Sequence, residues 1–297
     1  MNPGSRSGKG KKLWSFWESR LQAKGMAFDS AITTGVGHAA ELAAGATDYD
    51  TVVAVGGDGT INEVLDGVIQ SGRPDLRMGI LYSGTSPDFC KFHNIPIGPS
   101  DAIDALLAGS FRQVDVGRIT YFKENGDRTT AHFGCSANVG LGASVARTSN
   151  RLRKFTGDWL GTCGAVISSI VSTRPVDLEI SIDGAMQLLR GVNNLSIMKN
   201  PFLASGLRLN VDLQADDGKL VLFALHGRKR LSVLSVLPGF YSGKAVDRDD
   251  VLIQTCSRVT IRSSERTELE FDGDPRGFLP AEIEILPRTL HLIGSRT

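Results

Sequence analysis

Val52-Val53-Ala54-Val55-Gly56-Gly57-Asp58-Gly59-Thr60-Ile61-Asn62-Glu63 is the stretch whose reading decides the fold. Thr51 to Val55 is short, unbroken and rich in β-branched residues, the pattern of a strand buried on both faces. Gly56-Gly57-Asp58-Gly59 follows as a turn. Apolar residues at 61, 64, 65, 68 and 69 then have helical spacing, so a helix is predicted from about Thr60. Glycines let a backbone approach a polyphosphate closely, and a helix start directs N–H groups and partial positive charge to the same place. Gly56, Gly57, Asp58, Gly59, Thr60, Ile61 and Asn62 are therefore candidates for a phosphate-binding loop, with side-chain hydrogen bonds available from Thr60 and Asn62. Asp58 is acidic and does not suit direct phosphate contact; a role for it needs a metal ion or an orienting hydrogen bond. The alternative for the same residues is a tight strand-to-helix turn with an Asp in it.

Outward from this stretch, the first 110 or so residues alternate helix and strand. Leu13 to Lys24 is predicted helical, with Trp14, Phe16, Trp17 and Phe28 in the core, and His38 to Ala46 forms a second helix. Met78 to Tyr82 is another buried strand and Asp101 to Leu107 another helix, which together imply a parallel sheet wrapped by helices. Strand-like runs dominate from about Val114: Val116 to Phe122, Thr130 to Phe133, Leu178 to Ile182, Asn194 to Met198, Leu220 to Ala224, Arg258 to Ile261, Leu269 to Phe271 and Ala281 to Leu286. Asn125-Gly126, Asp183-Gly184 and Asp217-Gly218 mark turns between them. One helical stretch, about Arg147 to Ser172, interrupts them. The expected organisation is an α/β domain over residues 1–115 and a mostly antiparallel β domain over 116–297, with the C-terminal tail free to pack back on the first domain.

Composition agrees with a folded, soluble protein. The chain has 297 residues, 41% of them hydrophobic and 22% charged, which excludes disorder and collagen-like repeats. Lys+Arg 33 against Asp+Glu 32 gives a formal net charge of +1, so no global drive toward nucleic acid exists. Cys90, Cys135, Cys163 and Cys256 form no CxxC pair, which favours reduced thiols over zinc or a disulfide framework. The basic opening MNPGSRSGKGKK has no apolar stretch behind it, unlike a secretory signal. No run approaches the ~20 apolar residues of a membrane span. A cytoplasmic protein is expected, free or peripheral at the inner membrane face.

Other motifs carry less. Gly4-Ser5-Arg6-Ser7-Gly8-Lys9-Gly10 lacks one spacer residue and the Ser/Thr of a P-loop, and Gly140-Leu141-Gly142 lacks the third glycine of a dinucleotide fingerprint. His38, His93, His132, His226 and His291 show no ligand spacing. Asp216 and Asp217 could hold a hard cation or form a solvated turn. Arg147, Arg151, Arg153 and Lys154 precede the apolar Trp159 to Val171, which suits either transient contact with anionic lipid or a core helix with a basic lead-in.

GGDGT after a hydrophobic strand resembles the diacylglycerol kinase catalytic-domain family of lipid kinases, which includes sphingosine kinases. NAD kinases and phosphofructokinases share the related turn. Asn2-Pro3-Gly4-Ser5-Arg6-Ser7-Gly8-Lys9-Gly10 resembles the family's NPxSGxG opening, and Thr33 ahead of Gly37-His38-Ala39 its nucleotide-contacting Thr. Gly84-Thr85-Ser86-Pro87-Asp88-Phe89 resembles GTxNDF, Leu213 to Leu220 the magnesium-holding segment, and Phe271-Asp272-Gly273-Asp274-Pro275 the DGEP segment. The matches cover nearly the whole chain in order. The resemblance implies an N-terminal α/β domain with a parallel sheet, a C-terminal β-sandwich-like domain, and an active site in the cleft between them. It implies ATP held by Thr33, Gly56 to Asn62 and Thr85; Asp272 as catalytic base, with Asp58 assisting; and structural Mg²⁺ held by Asp217 and the carbonyls of Gln214 and Lys219. It implies a diacylglycerol-like lipid acceptor; oligomeric state stays open between monomer and homodimer.

Three departures bear on this. The chain opens at Asn2, where the family has a preceding strand, so either the start is set late or the sheet is one strand short. Pro87 replaces the family's Asn and Cys90 its Ala; Pro suits a helix start, but the Asn contact is lost. Asp274 replaces the Glu of DGEP and shortens that carboxylate's reach. The alternatives are an NAD kinase-like small-molecule kinase and a nucleotide-binding regulator without catalysis.

Overall fold

The structure, a computed structural model, describes residues 1–3, 9–140, 174–203, 207–227, 249–272 and 274–294. The chain divides into two compact units, Met1–Val116 with Pro287–Thr297, and Gly117–Leu286. The first unit contains α1 (Lys9–Ala23), α2 (His38–Ala44), β1 (Thr51–Gly56), α3 (Asp58–Gln70), β2 (Arg77–Tyr82), α4 (Asp88–Phe92) and α5 (Pro99–Ala108). The chain leaves it along β3 (Phe111–Phe122). The second contains β4 (Arg128–Phe133), β5 (Ser136–Gly140), β6 (Val176–Ile182), β7 (Ala185–Val192), β8 (Asn194–Met198), β9 (Phe202–Leu203), β10 (Leu207–Arg208) and β11 (Leu220–Leu225). It continues with β12 (Val251–Cys256), β13 (Arg258–Ser263), β14 (Glu268–Phe271) and most of β15 (Asp274–Ile293), whose last residues return to the first unit.

In the first unit β1 and β2 pair in parallel from Thr51↔Arg77 to Gly56↔Tyr82. The end of β15 adds a third parallel neighbour through His291↔Arg77 and Leu292↔Met78. β2 is buried from Met78 to Tyr82, as its unbroken apolar run requires. Trp17, fully buried on α1, donates its indole N–H to the Pro99 carbonyl (2.9 Å) and packs with Leu21, Val55, Leu81, Ala102 and Ile103. Pro99 lies in the first turn of α5, and Gly109, at φ 67°, terminates that helix.

Two local expectations are corrected here. α3 begins at Asp58 rather than near Thr60, so Asp58 and Gly59 belong to the helix's first turn. Extended Gly57 (φ −95°, ψ −172°) is the cap, and an acidic residue in the first turn is favoured by the helix dipole. Phe16 is not core. Trp17 and Leu21 take the inward face of α1, while Phe16 is 38% exposed with the Arg20 guanidinium 5.9 Å above its ring.

The second unit is a large antiparallel sheet in the order β12-β11-β8-β5-β14-β15-β13-β6-β7, with β4 joined through β3. It encloses one apolar core containing Phe133, Val139, Ile180, Leu195, Leu222, Ile261, Phe271 and Ile283. β6 alternates as a half-buried strand should, turning Leu178, Ile180 and Ile182 inward. Asp183 (φ 48°) and Gly184 (φ 93°) make the tight turn from β6 to β7. Among the described residues no helix is long and apolar enough to cross a membrane. The helical stretch expected over Arg147 to Ser172, with its basic lead-in and apolar run, lies outside the described residues.

Candidate active site

The turn after β1 is built from backbone. A Cβ on Gly84 would lie 2.6 Å from the Gly57 Cα and 2.6 Å from the Tyr82 hydroxyl. A Cβ on Gly57 would lie 3.2 Å from the Gly84 Cα, and one on Gly56 would meet the Thr60 side chain at 2.5 Å. The Ser83 N–H donates to the Gly56 carbonyl (2.8 Å), so the loops after β1 and β2 run against each other as bare main chain. The first turn of a helix lacks intrahelical partners for its N–H groups, and α3 starts here. Its side chains mostly turn inward: Thr60 and Asn62 are buried, and the Thr60 hydroxyl accepts the Asn2 side-chain amide (3.0 Å). What this turn offers a ligand is therefore amide hydrogens rather than Thr60 and Asn62 side chains.

Several predicted residues gather around it. The Asn2 N–H donates to the Val55 carbonyl, and the Thr33 N–H to the Met1 carbonyl, so residues 1–2 tie Thr33 to the end of β1. Thr85 is exposed on the loop after β2. Asp58 Oδ1 is buried. Burial, and secondarily the charge of Asp58, push the Tyr82 hydroxyl and the Cys90 thiol well above their ordinary pKa. Asp58 thus turns one carboxylate oxygen inward near Tyr82 and Cys90, while the residue as a whole is half-buried. Pro87 is the cap of α4 rather than a residue of its first turn, and the Ser86 hydroxyl donates to Asp88 Oδ2 (3.1 Å). Glu63 had no assigned part. Its carboxylate accepts the N–H groups of Gly37 (2.8 Å) and Ala39 (3.2 Å), fastening α2 to α3. Gly4 to Gly8 of the opening loop lie outside the described residues, as do Leu141, Gly142, Cys163 and Gly273.

In the second unit Asp272 follows β14 in a left-handed conformation, φ 49°. Its Oδ2 accepts the Gly134 N–H (2.9 Å), and its Oδ1 accepts those of Cys135 (3.0 Å) and Ser136 (2.9 Å). Its own N–H donates back to the Ser136 carbonyl (3.0 Å). The turn between β4 and β5 therefore grips the carboxylate, and Asn138 stiffens that turn by donating to Ser136 Oγ (3.0 Å) and to buried Glu270 (2.6 Å). Burial pushes the Asp272 carboxyl up to about 6, while the three amides and the Arg276 guanidinium pull it back. The residue keeps partial exposure. An aimed, partly exposed carboxylate with a pKa near the working range suits proton abstraction.

Gln214, Asp217 and Lys219 converge as the resemblance implies, but on a different cation. The fully buried Lys199 ammonium donates to the Gln214 carbonyl (2.8 Å), Asp217 Oδ1 (2.8 Å) and the Lys219 carbonyl (3.2 Å). Asp217 also accepts the N–H groups of Gln214 and Lys219, while Asp216 is exposed. Burial opposes ionisation of Asp217, yet the Gln214 amide and Lys199 hold its carboxyl below the ordinary value. A divalent ion on the same three oxygens would stand against an ammonium already in hydrogen-bond contact with them, so the residues present do not fit Mg²⁺ at this place. Among the described residues no cluster of three or more His, Cys, Asp or Glu suits a metal elsewhere. Lys199 was missed because a lysine after the apolar strand Leu195-Ser196-Ile197-Met198 reads as a solvated strand end.

Comparison with known proteins gives a consistent result. Residues 1–119 match the family described as diacylglycerol kinase catalytic domain, and residues 135–294 match the YegS C-terminal NAD kinase beta sandwich-like domain. The chain is similar to a diacylglycerol kinase of Bacillus subtilis (strain 168), 27% identical over 264 residues, covering 86% of this chain and 81% of the relative. It is 26% identical over 253 residues to a diacylglycerol kinase of Staphylococcus haemolyticus (strain JCSC1435), covering 82% and 71%. Among solved structures, a candidate diacylglycerol kinase from Bacillus anthracis str. Sterne superimposes with TM-score 0.76 at 19% identity, covering 99% and 94% of the two chains. Yeast NADH kinase is more distant, TM-score 0.51 at 12% identity, covering 97% and 80%. These two likenesses establish the two-domain fold with its β-sandwich-like second part.

Proposed function

Because the chain belongs to the diacylglycerol kinase catalytic-domain family, we propose that it transfers the γ-phosphate of ATP to a hydroxyl of a diacylglycerol-like lipid. Residues 1–115 serve the nucleotide and 116–297 the acceptor. Supporting this reading is the close main-chain packing of the Gly56-Gly57 turn against Gly84, which sets the loops after β1 and β2 beside the first turn of α3, where helix N–H groups can hold a phosphate. Thr33 and Thr85 line the nucleotide site. Asp58, turned inward, orders the loop rather than touching phosphate.

Phosphoryl transfer is catalysed mainly by positioning and charge stabilisation. The acceptor oxygen attacks the γ-phosphorus, its proton passes to the Asp272 carboxylate, and the bond to the departing ADP oxygen breaks. Mg²⁺ travels with the nucleotide rather than with Gln214, Asp217 and Lys219. Since the acceptor lies in a bilayer, the enzyme works in transient contact with a membrane surface.

Incubation with γ-labelled ATP and a total lipid extract tests the reading. A labelled phospholipid formed from a diacylglycerol-like precursor is expected. Label on NAD and on no lipid would replace the acceptor class, and bound ATP with no labelled product would identify a regulator without catalysis.

A further inference from the structure

We infer that Lys199 is a built-in replacement for a divalent cation, so the loop that the family resemblance assigns to magnesium is held in this chain by an ammonium. The inference does not depend on the lipid acceptor. Gln214 O, Asp217 Oδ1 and Lys219 O are an all-oxygen set, two carbonyls and a carboxylate, such as a hard cation takes. An ammonium has three N–H donors and no acceptor, and it meets those three oxygens at 2.8, 2.8 and 3.2 Å. These are hydrogen-bond distances, longer than the ~2.0–2.6 Å of Mg²⁺ or Ca²⁺ to oxygen. Charge agrees as well. One positive and one negative group meet in a buried place, whereas an added divalent ion would leave two positive charges uncompensated.

The ammonium also does what a structural ion would do. Lys199 follows β8, and its backbone N–H donates to the Cys135 carbonyl (2.8 Å), in the same turn whose amides hold Asp272. Its side chain reaches the loop ahead of β11. One residue therefore ties the 212–219 loop to the turn that aims the proposed base, and the tether cannot dissociate as an ion can.

The test uses the full chain without nucleotide. Mn²⁺ is titrated into wild type and Asp217→Asn, with the free ion read by electron paramagnetic resonance, and thermal unfolding is followed with EDTA and with millimolar Mg²⁺ or Ca²⁺. Equal Mn²⁺ uptake by the two proteins is expected, together with a wild-type Tm that neither EDTA nor added ion moves. Lys199→Met and Lys199→Ala should each lose roughly 5–15 °C in Tm, because partly buried Asp217 and the two carbonyls are left without their cation. In Lys199→Ala, Ca²⁺ should recover part of the loss, since the vacated oxygen set then accepts an ion. The inference is overturned if wild type binds one Mn²⁺ more than Asp217→Asn, or if EDTA lowers its Tm and Mg²⁺ restores it. Failure of Ca²⁺ to raise the Tm of folded Lys199→Ala also counts against it. Should neither Lys199 variant fold, the wild-type EDTA and Mn²⁺ results still decide.

Discussion

Asp272 occupies a backbone conformation, φ 49°, that few side chains other than Asn and Asp adopt readily. Its carboxylate spends at least three of its lone pairs on the amides of Gly134, Cys135 and Ser136, which fixes its direction without neutralising it. Burial is the larger influence and raises its pKa from 3.8 to about 6. A base must be ionised, so kcat/KM should rise with pH and level off above an apparent pKa near 6; an acid limb centred near 4 would contradict the assignment. Stability should move the other way. The folded pKa lies above the unfolded one, so this group's contribution is fully present below about 3.8 and is lost as pH rises through about 6. Asp272 is thus charged in the range where it works and at some expense to the fold. Its place at the end of a strand is visible in the sequence, but its partners are not. They are main-chain groups of a segment 136 to 138 residues away, and a backbone amide leaves no mark in residue identity.

At the scale of elements, the Gly57 and Gly84 loops set the shape of the candidate phosphate site. Ala at 84 would drive a Cβ into the Gly57 main chain and the Tyr82 hydroxyl, whereas Ala at 57 meets Gly84 at a distance a small shift relieves. Gly84→Ala is therefore expected to destabilise the unit by about 1–3 kcal/mol and to raise KM for ATP at least tenfold, with Gly57→Ala milder on both counts. Thermal unfolding and ATP-dependent initial rates check this; an unchanged KM in folded Gly84→Ala would remove the loop from the nucleotide site. Several elements were legible where burial is uniform or alternates strictly, but β5, Ser136–Gly140, was not despite its burial, because Ser, Ala, Asn and Gly carry little strand signal. β8 runs from Asn194 to Met198 as its apolar spacing indicates, and Asp183-Gly184 makes the predicted turn. β7 and β12 were not, because Met186, Leu188 and Ile253 are exposed and the apolar alternation is diluted. α3 starts two residues early because Gly57, not a Ser or Thr, caps it. Lys199 stayed hidden for a related reason. Its burial comes from a loop twenty residues on, not from its own strand.

For the whole molecule, the nucleotide loop and the proposed base belong to different compact units, one ending at Val116 and resuming at Pro287, the other between them. The proposal therefore divides binding from chemistry, and a substitution in one unit should leave the other unit's task intact. Asn at 272 suits this test, since it accepts the left-handed backbone and keeps one acceptor oxygen while removing the base. It does turn a donor toward one of the amides, so a loss of about 1–3 kcal/mol in stability is expected, without unfolding. The most direct measurement sets Asp272→Asn beside wild type, pairing ATP affinity by calorimetry with turnover on diacylglycerol vesicles at pH 8. The expected result is unchanged affinity with turnover down by at least 10²–10⁴-fold. Turnover near the wild-type rate in the folded variant would contradict Asp272 as the base and the mechanism built on it.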